Sequence, residues 1–348
     1  MRMPDLFSEF TIGTMTSRNR LMMSPMSQNS ATADGEATPW HMVHYGSRAV
    51  GGCGIVLMED TAVSKEGRVS SKSLCLYNEG HVKSLRPIIQ FCQENGAKVG
   101  IQLAHAGRKA WRDLRFDNVG RVSVDENAFS EEWGAPRALT VAEIEGIVKD
   151  FTHSAHLAIE AGFDFIEIHA AHGYLIHQFL SPITNKREDV YGSTPDGRSR
   201  FLLEVAKAVR EAWPSEKPLF CRLPAHDGDE DGISEKDIVS LASTLKTIGV
   251  DLIDVAAGNV DPRCAVVTAS DMQRVSSMIR QESGLPTTTV GAKNASHAKD
   301  LIEDGVMDLI AVGRPLLTNP YWLLATANGE QLIRHWPNQY KLAMPKIA

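Results

Sequence analysis

TVAEIEGIVKDFTHSAHLAIEAGFDFIEIHAAHGY, residues 140–174, carries one full repeat of the fold. Thr140 with Glu143 three residues on makes a capping box, and the run from Val141 to Ala161 behind it has the apolar spacing of an amphipathic helix. Phe163 to Ile168 then reads as a strand, nearly continuous in apolar residues as a strand buried on both faces should be. Polar chemistry begins at His169, directly past the strand end.

Seven more apolar runs of this kind lie along the chain: Leu21 to Met23, Ile55 to Met58, Val99 to Leu103, Leu219 to Leu223, Leu252 to Val255, Thr287 to Val290, and Leu309 to Val312. Helical spacing recurs between them, at Arg198 to Val209, at Ser234 to Ile248, and at Ala295 to Asp304, which follows Asn294 and stops at Gly305. Strand then helix, eight times over, predicts an α/β fold: one (β/α)8 TIM barrel spanning residues 1–348, with 330–348 as a carboxyl-terminal extension. The chain exceeds the roughly 250 residues typical of such barrels. The excess falls after the third and fourth strands, at His105 to Leu139 and Ala170 to Gly197, where long loops at strand carboxyl ends build sites.

Composition narrows the function classes. The net charge of −7 and the absence of basic runs give no footprint for nucleic acid or an anionic membrane. No apolar run approaches the ~20 residues of a membrane span, and the first twenty residues contain no apolar leader core. Five cysteines, none closer than seventeen residues to another, make no metal or redox pair and are expected as reduced thiols in a cytoplasmic protein.

The residues at or just past the strand ends form a polar rim: Ser24 and Ser27; Glu59 and Asp60; Gln102 and His105; His169, His172 and Tyr174; Arg222; Gly258; Gly291; Gly313 and Arg314. Each one alone is more often a hydrogen-bonded rim residue than a catalyst, but together they mark a site. Gly291 and Gly313-Arg314 follow the seventh and eighth strands, where barrels bind phosphate through backbone N–H groups, although glycines also simply turn a chain. Neither GxGxxG nor GxxxxGK[ST] is present, so no Rossmann or P-loop nucleotide site is expected. His169 and His172 have no third acidic or cysteine ligand at familiar spacing, so no metal is expected.

Residues 169–205, HAAHGYLIHQFLSPITNKREDVYGSTPDGRSRFLLEV, resemble the signature segment of the old yellow enzyme family, FMN-dependent NAD(P)H oxidoreductases with a barrel fold. RNRLMMSPM at 18–26, TPWHMVHYGSRA at 38–49, IQLAHAGRKA at 101–110 and DLIAVGRPLLTNP at 308–320 extend the resemblance over nearly the whole chain, and the loops are most similar to the thermophilic-like subclass. The resemblance places FMN contacts on Ser24, Pro25, Met26, Ser27, Asp60, Gln102, Arg222, Gly291, Gly313 and Arg314, and substrate contacts on Asn29, His169, His172 and Tyr174. It implies non-covalently bound FMN with NADPH or NADH as electron donor, a small electron-poor alkene or enone as substrate, and a homo-oligomer.

Chemistry suits those residue types. Arg222 would offset the anionic charge of reduced flavin, and Gln102 can both donate to and accept from the alternating edge of its ring. Two imidazoles can polarise an α,β-unsaturated carbonyl while hydride reaches its β-carbon. Tyr174, with an ordinary pKa near ~10, can protonate the α-carbon. The resemblance places His105, Arg108 and Lys109 at the border of the substrate entrance, a solvated basic loop turn is equally expected, and no catalytic role is assigned to them. His41, His44, His153 and His156 fall in helical stretches and are expected to cap or cover surface.

The chain departs from the subclass at four places. Ser27 and Asn29 stand where it has a cysteine and a tyrosine, and Asp60 where a small residue is common. Leu342, beside Lys341, stands where an arginine would reach into the neighbouring subunit. A carboxylate at Asp60 would oppose flavin reduction, be driven toward protonation, or point away. These departures motivate a second reading, a specialised flavin dehydrogenase, isomerase or ring reductase. A barrel binding a phosphorylated ligand without redox chemistry is the third.

Overall fold

The computed structural model describes residues 4–110, 121–133, 135–327, 331 and 334–344. Eight parallel strands close into a barrel: β1 Leu21–Met23, β2 Ile55–Ala62, β3 Lys98–Ala104, β4 Phe165–His169, β5 Leu219–Pro224, β6 Leu252–Ala256, β7 Thr287–Thr289 and β8 Leu309–Val312, with β8 pairing back onto β1. Each predicted apolar run is one of these strands, so the (β/α)8 barrel is the fold. The boundaries shift: β2 runs four residues past Met58 and β4 starts at Phe165 rather than Phe163.

Helices wrap the barrel: α1 Pro39–Val50, α2 Glu79–Glu94, α3 Val141–Ala161, the short α4 Leu175–Leu180, α5 Pro195–Ala212, α6 Glu235–Ile248, α7 Ala269–Ser283, α8 Ala295–Glu303 and α9 Arg314–Thr318. The expected capping box holds α3, with Thr140 N–H on Glu143 at 2.8 Å, and Gly162 ends the helix in the left-handed region at φ 95°. One apolar cluster fills the space between strands and helices. No helix among the described residues is long and apolar enough to cross a membrane.

Alternation along each strand sorts the barrel interior into layers. The lower layer is apolar, with Met22, Ile55, Leu57, Phe165, Phe220, Leu252 and Leu309 in contact. A hairpin of Phe10–Ile12 and Met15–Ser17, which the sequence reading did not anticipate, closes this end by packing Phe10, Ile12 and Met15 into the same cluster. Two residues further along the strands the inward positions become Gln102, Glu167, Arg222 and Asp254, all buried. Two further still stands His169, level with Arg222 in the β4–β5 register. The interior thus runs from oil at the bottom to charge at the rim.

Candidate active site

A β-bulge decides which acid enters the site. The β2–β3 register passes from Met58 opposite Ile101 to Asp60 opposite Gln102, leaving Glu59 as an extra residue. Asp60 therefore shares the inward face with Gln102, and Glu59 is turned toward α1. There Glu59 accepts hydrogen bonds from Tyr45 Oη (2.8 Å) and Gln28 N–H (2.6 Å), with His41 Nε2 at 3.5 Å. Burial pushes the Glu59 carboxyl up to about 8. His41 and His44 are correspondingly 0% and 3% exposed, not the surface residues expected of them, while His153 and His156 do lie on the surface.

Asp60 does not point away from the site. Its carboxylate accepts from Ser27 Oγ, so the two departures from the subclass form one pair. Burial raises the Asp60 pKa from 3.8 to about 6, against the lowering influence of Ser27 and Arg222. A carboxyl with a raised folded-state pKa favours folding at low pH, and that contribution is lost as pH rises through the folded value. Asp60→Asn therefore stabilises the FMN-free protein increasingly from about pH 4 to about pH 6, reaching about 1–3 kcal/mol and then levelling off. Chemical denaturation at three pH values measures this, and a constant difference at all three contradicts it.

The neighbouring strands present a second pair of acids, which the sequence reading missed. Gln102 Nε2 donates to Glu167 Oε1 at 2.7 Å, so the amide turns its carbonyl oxygen to the space above. Arg222 Nε lies 3.1 Å from Asp254 Oδ2, close enough for charge pairing but off the line of a hydrogen bond. Glu167 Oε2 and both Asp254 oxygens have no hydrogen-bond partner among the described residues. One guanidinium cannot neutralise two buried carboxylates, and burial together with Asp254 pushes Glu167 toward its neutral form. Both acids sat inside runs read as apolar, and only their inward parity marks them.

Past β4 the chain makes a tight turn. His169 Nδ1 accepts from Ala171 N–H (3.2 Å), which leaves the proton of the neutral ring on Nε2. That atom faces His172 Nδ1 at 3.2 Å, and the two rings meet edge to face. His172 adopts φ 57° and Gly173 φ 69°, a left-handed turn that brings the His172 ring against that of His169. Burial, reinforced by Arg222, Lys109 and His177, holds both rings well below the usual histidine pKa, so both are neutral, and His169 Nε2–H donates to His172 Nδ1. The Tyr174 ring lies 4.7 Å from that of His169. Burial first and Asp60 second hold its hydroxyl well above 10, so it keeps its proton.

The other predicted residues lie around this floor. Ser24 N–H donates to Val312 O at 3.0 Å, tying the ends of β1 and β8. Pro25 and Met26 are half-buried, and Met26 Sδ lies 3.5 Å from where a Cβ on Gly313 would stand. Gly291 has φ 110°, a conformation closed to ordinary side chains, and Arg314 is exposed at the start of α9. Asn29 sits on the exposed rim with its amide oxygen taken by Ser70 Oγ at 2.6 Å.

His105, Arg108 and Lys109 correct the expectation of a solvated basic turn: they are 2%, 2% and 6% exposed. Arg108 donates to Asn127 O and Val260 O, and Lys109 to His172 O and Asn259 O. Burial, aided by Arg108, brings Lys109 down to about 7.

Comparison with known proteins places the chain in a family and shows the same fold elsewhere. The model of the NADH:flavin oxidoreductase / NADH oxidase family matches residues 5–332. An NADPH dehydrogenase of Geobacillus sp. (strain WCH70) is 44% identical over 324 residues, 92% of this chain and 93% of that protein. Among solved structures, morphinone reductase in complex with tetrahydroNAD aligns with a TM-score of 0.80 at 25% identity over 96% of each chain. The old yellow enzyme homologue from Zymomonas mobilis aligns with a TM-score of 0.79 at 25% identity, covering 99% of this chain and 100% of the other.

Proposed function

Because this chain belongs to the NADH:flavin oxidoreductase / NADH oxidase family, that of the old yellow enzymes, and is an NAD(P)H-dependent FMN oxidoreductase, we propose that it reduces the carbon–carbon double bond of α,β-unsaturated carbonyl compounds. The observation that carries this reading is the convergence of two neutral imidazoles, His169 Nε2 and His172 Nδ1, beside a tyrosine hydroxyl with no protein partner among the described residues.

The residues present fit FMN. Among the described residues Arg222 has an Nε without a hydrogen bond and Gln102 a carbonyl oxygen with no partner, Gly313 leaves room beside Met26, and Gly291 holds a left-handed φ that a side chain would disfavour. In our reading Arg222 and Gln102 hold the ring edge, Ser24, Pro25, Met26, Ser27 and Asp60 line its other side, and Gly291, Gly313 and Arg314 hold the phosphate. Held there, FMN would supply hydride chemistry, two electrons and a proton accepted from NAD(P)H and delivered to the carbon β to the carbonyl.

The chain's own residues do the rest. His169 Nε2–H and His172, in the tautomer that carries its proton on Nδ1, turn from each other to the carbonyl oxygen and stabilise the negative charge that grows on it; because they are uncharged, they do so without donating a full proton. Tyr174 delivers the proton to the α-carbon, its depressed acidity ensuring that the proton is there to give. Asn29 offers its remaining amide N–H group to the outer part of the substrate.

The Ser27–Asp60 pair favours a second reading, in which an acid beside the ring serves dehydrogenation, isomerisation or ring reduction of a specialised substrate. Anaerobic turnover of 2-cyclohexenone with NADPH separates the two. Ene-reduction consumes one NADPH per cyclohexanone formed. Yellow protein that binds FMN and oxidises NADPH without forming the saturated ketone overturns it in favour of the specialised reaction.

A further inference from the structure

Lys109 has no role in the chemistry just described, yet it is built into the turn that carries His172. Its ammonium donates to His172 O at 2.8 Å and to Asn259 O at 2.6 Å, and lies 4.1 Å from the centre of the Phe129 ring. No carboxylate among the described residues makes an ion pair with it. Taking an ammonium out of water for two carbonyls and a ring face is unfavourable unless those contacts are held in place.

What it holds is unusual backbone. His172 and Asn259 have φ of 57° and 58°, and neither is glycine. Between them Gly173 admits no side chain, since a Cβ there would stand 2.5 Å from Asn259 O and 3.0 Å from Lys109 Cε. The loops after β4 and β6 thus meet backbone against backbone. Gly173 itself is fixed from α4, its N–H on His177 Nδ1 (2.9 Å) and its C=O on Gln178 Nε2 (2.7 Å). His177 and Gln178 belong to the segment that follows the turn. Lys109 reaches it from the loop after β3 and ties three loops together.

We propose that Lys109 is a positioning residue for carbonyl recognition: by clamping the His172 and Asn259 carbonyls it fixes the left-handed turn that aims His172 Nδ1 at the point faced by His169 Nε2. This rests on the histidine pair being the carbonyl-binding donors. Lys109 does not touch the substrate. Without the clamp His172 relaxes toward ordinary backbone geometry, the carbonyl oxygen keeps one donor instead of two, and the residues assigned to FMN stay where they are.

The test uses holoenzyme and p-chlorophenol, whose oxygen mimics the anionic oxygen of the developing enolate. Its dissociation constant is read from the change it makes in the visible flavin spectrum, alongside kcat and KM for 2-cyclohexenone. Losing one of two hydrogen bonds to a charged oxygen predicts phenol binding about tenfold to a hundredfold weaker in Lys109→Met, with KM raised more than kcat is lowered. FMN content stays at the parent level. Lys109→Arg, which keeps the donors, restores phenol affinity to within about threefold of the parent.

Unchanged phenol affinity in FMN-loaded Lys109→Met overturns the proposal. So does joint loss of FMN and phenol binding in both variants, which would make Lys109 a residue of the fold alone. Should Lys109→Met not accumulate as holoenzyme, Lys109→Gln, with one donor group, takes its place. An intermediate loss of phenol affinity is then expected, and parent affinity contradicts the clamp. Failure of the parent holoenzyme to bind the phenol overturns the reading of the histidine pair itself, and is recognised separately for that reason.

Discussion

Replacing Tyr174 with phenylalanine slows alkene reduction by about a hundredfold to ten-thousandfold while leaving flavin bleaching by NADPH within about twofold of the parent. The substitution removes one oxygen and keeps the ring that packs 4.7 Å from His169, so the pocket holds its shape. What is lost is a hydroxyl whose proton is retained because burial and the Asp60 carboxyl both disfavour the phenolate. Protonation is needed only when the alkene is reduced, and this separates the half-reactions. Stopped-flow absorbance with each half-reaction run anaerobically makes the comparison. Equal slowing of both removes Tyr174 from the role of proton donor.

The second large effect is expected at the histidine pair. Alanine at both His169 and His172 weakens p-chlorophenol binding by about a hundredfold or more and slows 2-cyclohexenone reduction by about a thousandfold, since each donor to a developing oxyanion is worth roughly a hundredfold to a thousandfold and the two act as a unit. FMN remains bound, because none of its proposed contacts is altered. The single variants should each recover little of the loss: the two nitrogens lie 3.2 Å apart and serve one oxygen between them. Phenol binding that survives the double replacement contradicts this arrangement.

The barrel was legible because parallel strands buried on both faces leave unbroken apolar runs, and because caps such as Thr140 with Glu143 punctuate the helices. The amino-terminal hairpin was not, since two three-residue strands carry too little periodicity to stand out from a loop. Rim residues such as His169, His172 and Tyr174 announced themselves by their place after a strand. Glu167 and Asp254 did not, because a charged residue inside an apolar run betrays its inward aim only once the register is known.

Asp60 illustrates the same limit. The resemblance placed a flavin contact at this position, but whether the carboxylate enters the site or points away was not legible, and a bulge of one residue at Glu59 turns it inward. Lys109 was read as solvated because lysine in a loop usually is, whereas here long-range packing against the β4 and β6 loops buries it.

The central claim is that two histidine donors activate a conjugated carbonyl for reduction. Anaerobic, NADPH-bleached holoenzyme mixed with 2-cyclohexenone or with its unconjugated isomer 3-cyclohexenone tests it most directly. The account predicts that the yellow colour returns with the conjugated ketone and does not return with the isomer, whose double bond the carbonyl cannot polarise. Equal recovery with both, or recovery only when air is admitted, contradicts it.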